Sequence, residues 1–269
     1  MAPPTLIPVD EQRWATAADG ARIAFDVRGG GEPLVLLPGQ ANPRRWWDPV
    51  RDDFAAVYST IAIDTLGTGA SDAPADAEYS TRRFGADVVA VLDELGIDRA
   101  HVYGTSMGGR AAQWVAIDHP SRVGALVLGC TTAGGDLAVD ASRETMAPLS
   151  QPPAEAREAL TRIMVTPAYT GPLTVLGESP MRRHARRAHR RASAGHDAAA
   201  RLGEITAPTL VLHGTDDPFS PVVNGENLAA AIPGAELRVF EGARHAYFLE
   251  FADEATPAVL NFLANHPLP

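Results

Sequence analysis

The chain has 269 residues, 45% of them hydrophobic and 21% charged, with a formal net charge of −10. That size suits one large α/β domain, with or without an insertion, and the balance excludes a disordered or fibrous chain. Such acidity argues against a phosphate-backbone partner, the single Cys130 excludes a disulfide framework or multi-cysteine metal site, and no apolar run approaches the roughly eighteen residues of a bilayer span.

The first residues, Met1-Ala2-Pro3-Pro4-Thr5-Leu6-Ile7-Pro8, lack the basic start and long apolar run of a secretion signal, so a cytoplasmic protein is expected. Short β-branched or aliphatic runs then alternate with helical patterns. Strands are expected at Arg22–Val27, Pro33–Leu37, Ser59–Ile63, Ala100–Tyr103, Val123–Gly129, Thr209–His213 and Glu236–Phe240. Leu34-Val35-Leu36-Leu37 and Ala125-Leu126-Val127-Leu128 are apolar without alternation, as strands covered on both faces should be. Helices are expected near Ser80–Leu95, Met107–His119, Val222–Ala231 and Asp253–Ala264, with Gly96 as a C-cap of the first. The alternation predicts an α/β fold: a mostly parallel central sheet with helices on both faces. From about Gly134 to Gly203 the strand pattern stops, and Pro148, Pro152, Pro153, Pro167, Pro172 and Pro180 punctuate helical stretches. That reads as a helical cap, residues 134–204, inserted between a first core part (1–133) and a second (205–269).

Val102-Tyr103-Gly104-Thr105-Ser106-Met107-Gly108-Gly109 carries the strongest chemical signal. Gly104-x-Ser106-x-Gly108 alone describes many glycine-rich turns. Between an expected strand and an expected helix it describes a nucleophile elbow, with the Ser106 hydroxyl standing alone at the sheet's carboxyl edge near a helix N-terminus. A serine hydroxyl is a weak nucleophile and needs a base that is itself oriented by an acid. Leu212-His213-Gly214-Thr215-Asp216-Asp217-Pro218 offers the acid after a buried-type strand. Asp217 is preferred over Asp216 because Pro218 restricts its backbone. Gly242-Ala243-Arg244-His245 follows the last strand and makes His245 the base, while His213 is expected to pack at its strand end and His184, His189 and His196 to lie in the cap. Backbone N–H groups of Met107 and of Gln40, in Leu37-Pro38-Gly39-Gln40, complete an oxyanion hole. Trp46 and Cys130 are candidate substrate-binding residues, with anchoring of the loop as the other reading of Trp46 and Trp47. Arg182, Arg183, Arg186, Arg187, Arg190 and Arg191 form two stripes on one helix, expected to be solvated and paired with the protein's own carboxylates.

Over nearly its whole length the chain resembles the α/β-hydrolase superfamily, in its lid-bearing esterase, lactonase and perhydrolase-like members. The resemblance rests on Leu37–Gln40, Asp64–Asp72, Gly104–Gly109, His213–Pro218 and Gly242–His245, with Gly129-Cys130-Thr131-Thr132 closest to enol-lactonase-like hydrolases. Pro38 stands where the family usually has histidine, Leu66 where it has arginine of a structural ion pair, and Arg244 where it has glycine. Serine at 106 sets the chain apart from the dehalogenase and epoxide-hydrolase branches, which use aspartate. The resemblance implies a serine hydrolase cleaving a small ester or lactone through an acyl-enzyme, with no metal or organic cofactor, acting as monomer or homodimer. The alternatives are carbon–carbon, thioester or amide hydrolysis or perhydrolysis by the same triad, or a non-hydrolytic cyclase or ligand-binding member.

Overall fold

Each apolar run of the sequence becomes a strand of one sheet in the computed structural model, which describes residues 11–150, 153–177 and 180–269. The amino-terminal stretch read for a leader and Pro152 lie outside these residues. In chain order the first half comprises β1 (Arg13–Thr16), β2 (Arg22–Arg28), β3 (Pro33–Leu37), α1 (Asp48–Ala55), β4 (Ser59–Ile63), α2 (Thr81–Glu94), β5 (Ala100–Thr105), α3 (Met107–Asp118) and β6 (Val123–Gly129). Then follow α4 (Arg143–Met146), α5 (Pro153–Met164) and α6 (Arg183–Ala194), before β7 (Thr209–Gly214), α7 (Val223–Ala231), β8 (Glu236–Phe240), α8 (Tyr247–Glu250) and α9 (Ala252–Ala264). Spatial order is β1-β2-β4-β3-β5-β6-β7-β8. The β1–β2 and β2–β4 pairings are antiparallel and the rest are parallel.

The parallel strands β3 to β7 bury both faces, whereas β8, at the edge, is largely exposed. Val35 and Leu37 of β3 point into one core with Phe84, Val88, Met107 and Val115 from α2 and α3. Leu34 and Leu36 enter the other with Phe54, Val259 and Phe262 from α1 and α9. Each such side chain contributes about 2 kcal/mol by leaving water, which explains why these strands tolerate no alternation. The expected strands and helices are all present within a few residues, and Gly96 ends α2 at φ +64. β1 and α1 were not anticipated. β1 buries only Ala15 of its four residues, so it shows no apolar pattern. α1 is polar, although Pro49 in its first turn and Asp48 at its start are helix-opening signals.

Two glycines allow the chain to turn sharply after β5. A Cβ on Gly104 would lie 2.3 Å from the Gly108 carbonyl oxygen, and one on Gly108 would lie 2.2 Å from that of Leu37. Both clashes would be with backbone, so helix α3 can approach β3 and β5 this closely only because neither residue has a side chain.

Between β6 and β7 the described residues form helices and turns, joined by a single isolated bridge between Gly134 and Asp197. His196 ties the end of this insertion to the core: Nδ1 meets Thr81 Oγ1 at 2.9 Å and Trp114 Nε1 at 3.3 Å. Leu66 is buried in the apolar core. Beside the loop that carries it, Arg44 pairs with both Asp26 and Asp64, and Arg51 also reaches Asp26.

Candidate active site

The carboxyl ends of the parallel strands gather the chemistry. Three non-glycine residues have left-handed backbones, Ala41 (φ 58), Ser106 (φ 54) and Cys130 (φ 41), and they follow β3, β5 and β6. Strain of this kind concentrates where a structure holds functional groups in place. Ser106 caps α3, its N–H donates to the Gly129 carbonyl at 2.8 Å, and Thr131 Oγ1 donates to the Ser106 carbonyl at 2.7 Å. Its side chain stands at the helix N-terminus, where the first N–H groups have no partner within the helix.

After β7 the two neighbouring aspartates separate clearly. Asp216 is exposed, whereas Asp217 is 4% exposed. Asp217 Oδ1 accepts the N–H groups of Phe219 and Ser220 at 2.8 and 2.9 Å, and Oδ2 lies 2.7 Å from His245 Nδ1. Burial alone would raise this carboxyl, but the facing His245, with hydrogen bonds from His213 and His245, holds it down at about 2. It is an anion under any ordinary condition. The pairing makes Nδ1 of His245 the donor, so Nε2 carries the free lone pair; Nε2 is buried and has no hydrogen-bond partner. Phe219 packs edge-on against this ring, with centroids 5.0 Å apart.

Gln40 lies in the loop after β3, and its carbonyl accepts Asn42 Nδ2 at 2.9 Å. Met107 opens α3 and is buried. Trp46 is 1% exposed, donates Nε1 to Thr105 Oγ1 at 2.9 Å and stacks on Phe248 at 5.4 Å. Trp47 packs against Tyr103 and Phe248. Both indoles therefore anchor the loop in the core, the second of the two roles expected for them. Cys130 is buried, and burial with nearby Asp217 pushes its thiol well up, which keeps it protonated and inert.

Arg182, Arg183, Arg186, Arg187, Arg190 and Arg191 are all exposed, on or just before α6. Among the described residues none forms an ion pair, so the expected pairing with the protein's own carboxylates is not found. Arg110, on α3, behaves differently. Burial draws its guanidinium down to about 10, and it reaches the Ser193 carbonyl and hydroxyl of the insertion at 2.5 and 2.7 Å.

Sequence reasoning missed two contributors. His213 Nε2 donates to the Ser220 carbonyl at 2.7 Å and lies 3.5 Å from Asp217 Oδ2. Its signal was a lone polar residue ending an otherwise apolar strand. The insertion also grips the loop on either side of His245: the N–H of Ala246 donates to the Met164 carbonyl at 2.7 Å, and Arg244 reaches the carbonyls of Arg162 and Val165. Among the described residues no group of three or more His, Cys, Asp or Glu could hold a metal ion, and no helix is long and apolar enough to cross a membrane.

A mostly parallel sheet with a serine at a strand-to-helix elbow and an Asp–His pair after later strands defines the α/β-hydrolase class. The chain belongs to that family: it matches the model of the alpha/beta hydrolase fold over residues 32–187 and 178–252, and it is a hydrolase of this fold. It is 34% identical to a 2-hydroxy-6-oxononadienedioate/2-hydroxy-6-oxononatrienedioate hydrolase of Cupriavidus pinatubonensis, over 94% of this chain and 95% of that one. Among solved structures it is similar to an N-acyl homoserine lactone degrading enzyme, at 30% identity and a TM-score of 0.77, covering 93% of this chain and all (100%) of that one. It is also similar to an esterase from a Rhodococcus species, at 29% identity and a TM-score of 0.76, covering 95% and 99%.

Proposed function

We propose that this chain is a serine hydrolase that cleaves a small carboxylic ester or lactone through an acyl-enzyme. The observation that carries the reading is the buried Asp217–His245 pair, 2.7 Å apart, with Nε2 of the imidazole left free at the sheet edge that also holds Ser106. Ser106 Oγ forms a bond to the substrate carbonyl carbon while its proton passes to His245 Nε2. Asp217, already an anion, stabilises the imidazolium without taking the proton. The carbonyl oxygen becomes an oxyanion that receives the N–H groups of Gln40 and Met107, each worth about 3 kcal/mol in comparable sites. The carbon–oxygen bond then breaks, the leaving oxygen takes the proton from His245, and in a lactone it stays tethered to the acyl group. Water, deprotonated by His245, releases the acid and restores Ser106. Residues 134–204 act as the cap over this edge, which makes them the source of specificity.

A second reading keeps the same residues and changes the bond. The Cupriavidus relative is named for a 2-hydroxy-6-oxo dienedioate. In that chemistry the leaving atom is carbon, which must be protonated as it departs.

The test is turnover of short-chain aryl esters, enol-lactones, N-acyl homoserine lactones and a 2-hydroxy-6-oxo dienoate by the wild type and Ser106→Ala. The expected result is turnover of an ester or lactone, lost by at least about a thousandfold in Ser106→Ala. Turnover of the dienoate alone favours the second reading. Equal rates in both proteins remove Ser106 from the mechanism.

A further inference from the structure

We propose that His189, on α6 of the insertion, is a positioning residue for the oxyanion-stabilising N–H of Gln40, so that the insertion sets the geometry of the hole as well as covering it. The inference rests on the reading of Gln40 given above and extends it to a residue outside the reacting groups.

The argument begins with the backbone next to Gln40. Ala41 has φ 58, a conformation that an alanine keeps only when its surroundings impose it. Its N–H donates to His189 Nδ1 at 3.3 Å, across 148 residues of sequence. The other ring nitrogen, Nε2, lies 2.7 Å from the Leu66 carbonyl. A carbonyl can only accept and a backbone N–H can only donate, so both bonds form in one state alone: the neutral ring with its proton on Nε2. Burial favours that neutral form. The ring is fully buried and held by Phe84, at 5.0 Å between centroids, and Tyr79, at 6.0 Å.

The Gln40–Ala41 peptide is therefore fixed at both ends. Its carbonyl accepts Asn42 Nδ2 at 2.9 Å, and its N–H is taken by His189. Asn42 is in turn fixed by the insertion, because Oδ1 accepts the Gly177 N–H at 2.8 Å. Thr174 Oγ1 donates to the Trp46 carbonyl at 3.0 Å and closes the same loop further along. The Gln40 N–H belongs to the preceding planar peptide and is joined to this clamped one only through the φ and ψ of Gln40, so the clamp leaves two rotations through which the donor could turn away from the reacting carbonyl. An oxyanion donor is effective only when it is aligned in advance, which makes this clamp relevant to rate rather than to substrate binding.

Two substitutions separate alignment from mere support. In His189→Asn, Oδ1 can occupy the place of Nδ1 and keep the acceptor for Ala41, while the bond to Leu66 is lost. In His189→Gln, the side-chain amide can reach Leu66, while Ala41 loses its acceptor. The readouts are kcat and KM on the best ester from the panel, and the rate at which a fluorophosphonate labels Ser106, with thermal melting to verify folding. His189→Gln is expected to lower kcat and the labelling rate at least about tenfold with little change in KM, and His189→Asn to stay within about threefold of wild type. Asn42→Ala releases the other end of the same peptide and should repeat the kcat loss, which keeps the test decisive if His189→Gln does not fold. Wild-type kcat in Asn42→Ala and in a folded His189→Gln overturns the inference, as does an equal loss in His189→Asn and His189→Gln. A wild type that fluorophosphonate does not label at Ser106 overturns the serine-hydrolase reading and this inference together. Labelling that is equally fast in wild type and both His189 variants overturns the inference alone.

Discussion

His189 and His196 illustrate how single buried side chains make this protein sensitive to acid. Burial holds His189 down at about 4, and burial with nearby Arg110 holds His196 down at about 3. An unfolded chain binds protons on these rings once the pH falls below about 6.5, whereas the folded chain does so only near pH 4 and 3. Folding stability is therefore expected to fall as pH drops below about 6.5, each ring contributing roughly 3 kcal/mol or more by pH 3. Asp217, held down at about 2, adds a loss below about pH 4. Asp87, raised to about 6 by burial, acts in the opposite sense over the same range. The difference between wild type and His196→Gln removes these other terms. Urea unfolding at pH 7 and pH 4.5 should show a smaller acid loss in the variant, and an unchanged loss would mean that His196 is not held neutral. The positions of Ser106, Asp217 and His245 were legible in sequence because each sits in a short motif just after a strand. His189 was visible only as a polar residue within the Ala185, Ala188 and Ala192 face of its helix. What it binds was not.

At the scale of elements, α6 is divided between two demands. One face, Ala185, Ala188, His189 and Ala192, is buried. The other exposes arginines four residues apart with no carboxylate partner among the described residues. Like charges at that spacing are mildly destabilising. Arg186→Glu would place a carboxylate four residues from both Arg182 and Arg190 and is expected to stabilise the fold by about 0.5 kcal/mol, less at high salt. Urea unfolding at two salt concentrations measures this, and destabilisation would mean that Arg186 has a partner. The helical period and the stripes were readable from sequence. Their pairing was not, because a charge run does not reveal whether carboxylates lie within reach. The same distinction explains α1 and β1. Local propensity was weak in both, and packing against the sheet supplies the order.

Across the whole molecule, the charged group beside the loop after β3 shows how segments distant in sequence complete one another. Buried Asp64 is paired by Arg44, which arrives from a different loop and bridges it to Asp26. Asp64 also accepts the N–H groups of Arg44 and Ala70, so it fixes the start of the 3₁₀ turn at residues 44–47 and the 64–70 loop together. Arg44→Leu would leave a fully buried carboxylate without its cation. It is expected to destabilise the fold by about 3 kcal/mol or more, measured by urea unfolding at pH 7. A change below about 1 kcal/mol would mean that backbone donors alone satisfy Asp64.

The sequence by itself determined the order of most strands and helices, the turn at Ser106 between β5 and α3, and the placing of Asp217 and His245 after late strands. These follow from properties that reach only a few residues: the burial of an apolar run, the absence of side chains at Gly104 and Gly108, the constraint that Pro218 places on its neighbour. Only the tertiary structure decided that Arg44 pairs with Asp26 and Asp64, that Trp46 and Trp47 are buried in the core, and that the insertion grips the segments carrying Gln40 and His245. The reason is physical. A buried polar group must find a partner, but any suitable donor or acceptor in the chain will serve, and only the folded packing brings one of them within hydrogen-bond distance.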